Sequence, residues 1–226
     1  MAVDNIEPVE FHRAQMKVLF SICALSLCVL SAAWGEAPEP MQPTVASTSP
    51  DFAFAKGAKE FQDVTGVFSF FDRGGNNRPS VDYAVNSLRL GYMLSNPHGS
   101  NFLAGNFELL GEVFAGGIYN GPGNVLAGST LIFRYNFIQP RARIIPYLEI
   151  GAGGVYTDIS ESESRGLISL PVEFNLQGNG GLRYMLNDRW SLVFEAAYRH
   201  VSNATIKLPN YGLDNIGGNV GLGFSF

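Results

Sequence analysis

Residues Trp190–Phe226 read WSLVFEAAYRHVSNATIKLPNYGLDNIGGNVGLGFSF, and their pattern decides the fold. In the first part, Leu192, Phe194, Ala196, Tyr198, His200 and Ser202 fall on one face of an extended chain, while Ser191, Glu195 and Arg199 fall on the other. A polar stretch, Thr205–Leu213, follows and contains Asn210 and Gly212. Asp214 then opens a second alternating run in which Ile216, Val220, Leu222, Phe224 and Phe226 share one parity, with Gly217, Asn219, Gly221 and Ser225 on the other. The pattern predicts an antiparallel hairpin. Its two reactive side chains, His200 and Ser202, stand on the apolar face. In a soluble sandwich that face would be the core, whereas in an outer-membrane barrel it meets lipid. A hydrolytic pair facing lipid fits a lipid substrate.

The chain upstream repeats the theme. Six further runs are predicted as strands: Glu60–Phe71, Val81–Leu94, Gly105–Ala115, Val125–Phe137, Ile145–Thr157 and Pro171–Met185. Between Val81 and Leu94, for example, Leu88, Leu90, Tyr92 and Leu94 alternate with Ser87, Arg89 and Gly91. Each run slightly exceeds the roughly 9–11 residues that cross a bilayer as a tilted strand. The expectation is an all-β, eight-stranded antiparallel transmembrane barrel over residues 60–226. An interior of that size is filled by side chains, which disfavours a porin. Arg199 and Glu195 are expected to form an interior ion pair, with Arg89, Glu108, Glu112 and Glu149 filling the same space. An even strand number puts both ends of the strand series on the periplasmic side, where Leu186–Arg189 reads as a tight turn. The longer stretches Asp72–Ser80, Gly116–Asn124, Asp158–Leu170 and Asn203–Leu213 are expected outside. A last strand ending on Phe is also what outer-membrane barrels commonly present to their assembly machinery.

Ahead of the barrel lies an apolar run, Val18–Trp34, preceded by Lys17 and closed by small residues. It is short against the ~20 residues of a membrane helix, and it reads as a secretory signal peptide cut after Gly35. Residues 1–15 carry Asp4, Glu7 and Glu10 against Arg13, unlike a signal start, so Met16-Lys17 is read as the true beginning and 1–15 as an extension. Residues 36–59 hold Pro38, Pro40, Pro43 and Pro50 and read as an irregular periplasmic lead-in.

Composition narrows the chemistry. Charged residues are 15% of the chain and aromatics 12%, with 26 glycines, a balance suited to a small barrel wetted by lipid. The net charge of −5 argues against a nucleic-acid partner. Cys23 and Cys28 both lie in the signal, so a mature chain would have no disulfide, no thiol nucleophile and no cysteine-ligated metal. His12, His98 and His200 are the only histidines, too few for a histidine metal site, and no cofactor is expected. What remains is a serine with a base. Ser202 and His200 stand about 6.6–7 Å apart along the strand, close enough for the imidazole to lean over and take the hydroxyl proton. A loop closing from Ser202 to Asp214 would set these two nearly opposite, giving a carboxylate to orient the imidazole. On the lipid face a carboxylate is tolerable only near the membrane interface, where the penalty falls to about 0–1 kcal/mol or less. An oxyanion stabiliser would come from the turn after Ser202, through backbone N–H groups or the Asn203 amide.

The segment Arg199-His200-Val201-Ser202-Asn203-Ala204, followed by Pro209-Asn210-Tyr211-Gly212-Leu213-Asp214 and a last strand ending in Phe, resembles the C-terminal signature of the lipid A 3-O-deacylase family (PagL, also labelled acyloxyacyl hydrolase). The resemblance implies an eight-stranded outer-membrane barrel that removes the ester-linked acyl chain at the 3-position of lipid A without a metal. It implies Ser202 as nucleophile, His200 as general base and Asp214 as orienting carboxylate. Asn203 and Ala204 would lie by the oxyanion, and Asn210 matches a polar loop position. The specific match spans His200 to Asp214 and its flanks. The chain departs from the family at Asp214, where Glu is usual, and at Thr205, where Gly is common. The expected partner is lipid A of lipopolysaccharide in the outer membrane, met at an active site facing the outer leaflet, by a monomer or homodimer. Two other readings are a non-enzymatic structural or adhesive barrel, and an esterase or phospholipase acting on another lipid.

Overall fold

A computed structural model describes residues 52–71, 78–159 and 164–226. The expected signal segment and most of the lead-in lie outside the described residues, as do Glu161 and Glu163. Eight strands follow one another: β1 (Lys59–Phe70), β2 (Asp82–Met93), β3 (Gly105–Asn120), β4 (Val125–Phe137), β5 (Ile144–Thr157), β6 (Val172–Met185), β7 (Trp190–Ser202) and β8 (Leu213–Ser225). Each pairs antiparallel with its neighbours, and β1 pairs with β8 to close the barrel. Closure removes the sheet edges, so no backbone ladder is left open to lipid. The expected all-β, eight-stranded barrel is the observed fold.

The alternating pattern becomes two surfaces. Leu131, Leu148, Ile150, Val113 and Phe194 point outward and are exposed. Inward, Arg89, Arg134, Arg183 and Arg199 interleave with Glu60, Glu108, Glu112, Glu149 and Glu195, all buried. Arg89 meets Glu112 at 3.0 Å and Glu195 at 2.9 Å. Arg134 meets Glu149 at 2.6 Å and Glu108 at 3.3 Å, and Arg183 meets Glu60 at 2.9 Å. Arg199 and Glu195, expected as a pair, take different partners: Glu195 binds Arg89, and Arg199 reaches Glu112 at 3.5 Å. Four residues along one strand are about 13 Å of rise, so the short way to an opposite charge is across the barrel.

The interior is not polar throughout. At the end away from the termini, Phe68, Tyr83, Val85, Phe114, Val201 and Leu213 form a buried apolar cluster, joined by Leu167 and Ile168 from the β5–β6 connection. At the terminus end, Phe54 is fully buried against Met93, Ile145 and Met185. Charge therefore occupies the middle of the barrel, and apolar side chains close each mouth.

Two connections set the strand lengths. Leu186–Arg189 is tight, as expected: Asn187 Oδ1 accepts from Arg189 N at 2.9 Å and from Trp190 N at 2.8 Å. Gly116–Asn124, expected as an outer loop, is instead mostly strand, since β3 runs on to Asn120. Gly116 marks close approach rather than a turn: a Cβ there would stand 2.1 Å from the Ala84 carbonyl oxygen, whereas Gly121 and Gly123, with φ 107° and 83°, make the turn that remains.

Candidate active site

The β7–β8 hairpin builds the site. Its register places His200 opposite Asp214 and Tyr198 opposite Ile216. Asp214 thus faces His200 rather than Ser202: in this register the position opposite Ser202 falls on Gly212, just before β8 begins at Leu213. Ser202 pairs instead with Phe174 on β6. Directly opposed residues share a face, so His200, Ser202 and Asp214 all stand on the outer wall. Behind them Val201 and Leu213 point inward into the apolar cluster, which gives the row a packed backing.

Three side chains are in line. His200 Nδ1 lies 2.7 Å from Asp214 Oδ1, and His200 Nε2 lies 3.0 Å from Ser202 Oγ. With Asp214 ionised, Nδ1 carries the ring proton and donates it to the carboxylate, which leaves Nε2 to accept from the serine hydroxyl. The His200 side chain keeps 25% of its surface accessible and that of Asp214 11%, so the base is reachable while the carboxylate is covered. The neighbouring outward positions on β6, Phe174 and Leu176, are both half exposed and apolar. The row is a polar line in an apolar wall.

The loops hold this line in place. Gly212 has φ 79°, and a Cβ there would come within 2.6 Å of His200 Cε1, so only glycine lets the chain turn back beside the imidazole. Gly212 N and Tyr211 N donate to Leu167 O at 3.0 Å and Gly166 O at 2.9 Å, strapping the β7–β8 loop to the β5–β6 connection. Asn203 is buried, and its side-chain amide donates to Ser169 Oγ at 2.8 Å and Lys207 O at 3.0 Å. Its backbone N–H donates to Asn210 Oδ1 at 3.3 Å. Asn210 in turn donates to both carboxylate oxygens of Glu173, at 2.8 and 2.9 Å. Glu173 Oε1 also accepts from Ser169 N and Leu170 N, at 3.1 and 3.0 Å. Ala204 follows, exposed, with φ 50°, and Thr205 has φ 68°.

The structure therefore brings Ser202, His200 and Asp214 together, and sets Asn203 and Asn210 against one another as loop braces beside them. Sequence reasoning did not single out Tyr198, whose hydroxyl donates to Asp214 Oδ1, or Glu173. Tyr198 shares the parity of His200 and Ser202, a signal that was present. Glu173 begins the inward row Glu173, Asn175, Gln177, Asn179 and looks like lumen filling until the loops fold back on it. Among the described residues no group of three or more His, Cys, Asp or Glu side chains is arranged to hold a metal ion.

Fold and site define a membrane β-barrel whose outer wall carries a serine, histidine and carboxylate in hydrogen-bonded series. The family model described as lipid A 3-O-deacylase (PagL) matches residues 82–223, and the chain belongs to that family. Its members are outer-membrane hydrolases acting on lipid A, and this barrel is one of them. No curated protein matches the chain. A crystal structure of the outer membrane enzyme PagL aligns at 17% identity with a TM-score of 0.50, covering 72% of this chain and 97% of that one. The outer membrane protein OprG from Pseudomonas aeruginosa aligns at 15% identity, TM-score 0.46, over 77% and 98% of the two chains. Neisserial surface protein A aligns at 14%, TM-score 0.46, over 75% and 98%. The likeness to the enzyme is one of fold.

Proposed function

We propose that this protein removes the 3-O-linked acyl chain of lipid A by acyl transfer to Ser202. The observation that carries the reading is the unbroken series Ser202 Oγ, His200 Nε2, His200 Nδ1, Asp214 Oδ1, at 3.0 and 2.7 Å, on a wall that lipid touches. Ser202 Oγ attacks the ester carbonyl while His200 Nε2 takes the hydroxyl proton. Asp214 holds the imidazole in the productive tautomer and offsets the imidazolium charge. Collapse of the tetrahedral intermediate returns that proton to the departing 3-hydroxyl oxygen and leaves the acyl chain on Ser202. Water, deprotonated at His200, then hydrolyses the acyl-enzyme and frees the fatty acid.

The oxyanion falls to the backbone N–H of Ala204. In support, the N–H groups of Asn203 are already engaged with Asn210, Ser169 and Lys207. Ala204 is the next amide along, on an exposed turn of unusual conformation. Asn203 and Asn210 position that turn. The site lies at the end of the barrel away from Lys59 and Phe226, so with those residues at the periplasmic side it opens to the outer leaflet, where lipid A resides. Lateral entry past Phe174 and Leu176 keeps the acyl chains in an apolar setting throughout. Purified barrel in detergent, given lipid A, is expected to release one 3-hydroxy fatty acid, and Ser202→Ala to release none. Release from phospholipid but not lipid A would replace this reading with that of a phospholipase. No release from either lipid would leave a barrel without esterase activity.

A further inference from the structure

The outward row of β7 carries, beside His200, a phenol that the proposed mechanism does not use, that of Tyr198. The register makes Tyr198 the diagonal neighbour of Asp214, one step along the wall from His200. Its O–H donates to Asp214 Oδ1, the oxygen that His200 Nδ1 also approaches, at 2.7 Å. Two donors from β7 thus meet on one carboxylate oxygen of β8. The surroundings make the second donor matter. Tyr198 sits opposite Gly178 on β6 and Ile216 on β8, positions that offer no polar side chain. A phenol facing lipid needs a partner, and so does a carboxylate removed from water. The bond from Tyr198, further down the strand, adds to the hold on Oδ1, the oxygen that His200 Nδ1 meets.

We infer that Tyr198 is a positioning residue for the deacylation, acting through Asp214: it fixes the carboxylate that orients His200 toward Ser202. This inference rests on the deacylase reading above. Misplacement of about 1 Å at such a contact can lower a rate by roughly a hundredfold.

The test is a double-mutant cycle on lipid A deacylation, with barrel folding checked by heat-dependent gel mobility. Tyr198→Phe is expected to lower kcat about tenfold or more while KM stays within about twofold. In an Asp214→Asn background the same change should alter kcat by less than about twofold, since the group it acts through is already lost. An equal loss in both backgrounds, or a raised KM with kcat unchanged, would overturn the inference, the latter by making Tyr198 a substrate contact. A second readout needs no turnover: the low-field Nδ1 proton of His200, seen by NMR in micelles, should shift on Tyr198→Phe. Wild-type protein that releases no fatty acid defeats the deacylase reading, and the proton shift still decides whether Tyr198 couples to His200 through Asp214. An unmoved proton overturns that coupling.

Discussion

Replacing Asp214 with Asn keeps the shape of the row and removes its charge. The imidazole would then lose its preference for the tautomer that leaves Nε2 free, and kcat is expected to fall by about 10²–10⁴-fold with little change in KM. Steady-state kinetics on detergent-dispersed lipid A would check this, and activity near wild type would remove Asp214 from the mechanism. Two loop residues make opposite predictions. Gly212→Ala forces a methyl to within 2.6 Å of His200 Cε1 at a φ of 79°, so it should displace the ring and cut activity at least about tenfold. Thr205 holds a β-branched side chain at φ 68°, a conformation that glycine adopts freely. Thr205→Gly should therefore stabilise the folded barrel by about 1 kcal/mol, measured as a shift in the urea midpoint in lipid vesicles. At this scale, His200 and Ser202 were legible because a period of two needs no knowledge of the partner strand. Tyr198 was not, because its role depends on which β8 residue the register sets diagonally across from it.

At the scale of elements, the site depends on loops from two hairpins meeting over Glu173. That carboxylate accepts from Ser169 N, Leu170 N and Asn210 Nδ2, so it ties the β5–β6 and β7–β8 connections together. Glu173→Ala is expected to leave the barrel folded by gel mobility yet speed amide exchange across Asn203–Gly212 and lower deacylation about tenfold. The β3–β4 connection has its own brace: Asp158 accepts from Asn124 N at 2.8 Å and Val125 N at 2.9 Å. Partial burial alone would raise the Asp158 carboxyl, but the Val125 and Asn124 amides outweigh it and hold it below the ordinary value of 3.8. A depressed folded-state value means the brace is present above pH 4 and is lost as pH falls through it. Protection of the Asn124 and Val125 amides, relative to their intrinsic exchange, should fall only once the pH is below the ordinary carboxyl value of 3.8, and Asp158→Asn should abolish that pH dependence. Strand positions were readable from alternation, most to within a residue. The extension of β3 through Gly116 and Gly117 was not, since glycine marks both turns and close strand approach. The bracing role of Asn203 was hidden for a related reason: its partners Ser169 and Lys207 lie on different loops.

The barrel is a charged core within an apolar sleeve. Placing Arg or Glu inside was legible from parity alone, but the pairing was not, because partners are chosen across the barrel rather than along a strand. Arg134 contacts Glu149, Glu108 and Glu60, and Tyr147 stacks beneath it at 4.3 Å. Arg134→Leu would leave those carboxylates short of a counter-charge and should destabilise the barrel by about 3–5 kcal/mol in vesicle refolding. Outside, Leu131 stands midway along β4 and is 60% exposed. Leu131→Arg should cost about 2–4 kcal/mol if this wall crosses the bilayer, and almost nothing if it faces water. The central claim, that Ser202 is the nucleophile of a lipid A 3-O-deacylase, is tested most directly by mass spectrometry of lipid A. Cells expressing the wild type would be compared with cells expressing Ser202→Ala at equal barrel abundance. Loss of one 3-hydroxyacyl chain with the wild type only is the expected result. Loss with both proteins would remove Ser202 from the chemistry, and an unchanged mass with both would contradict the deacylase function.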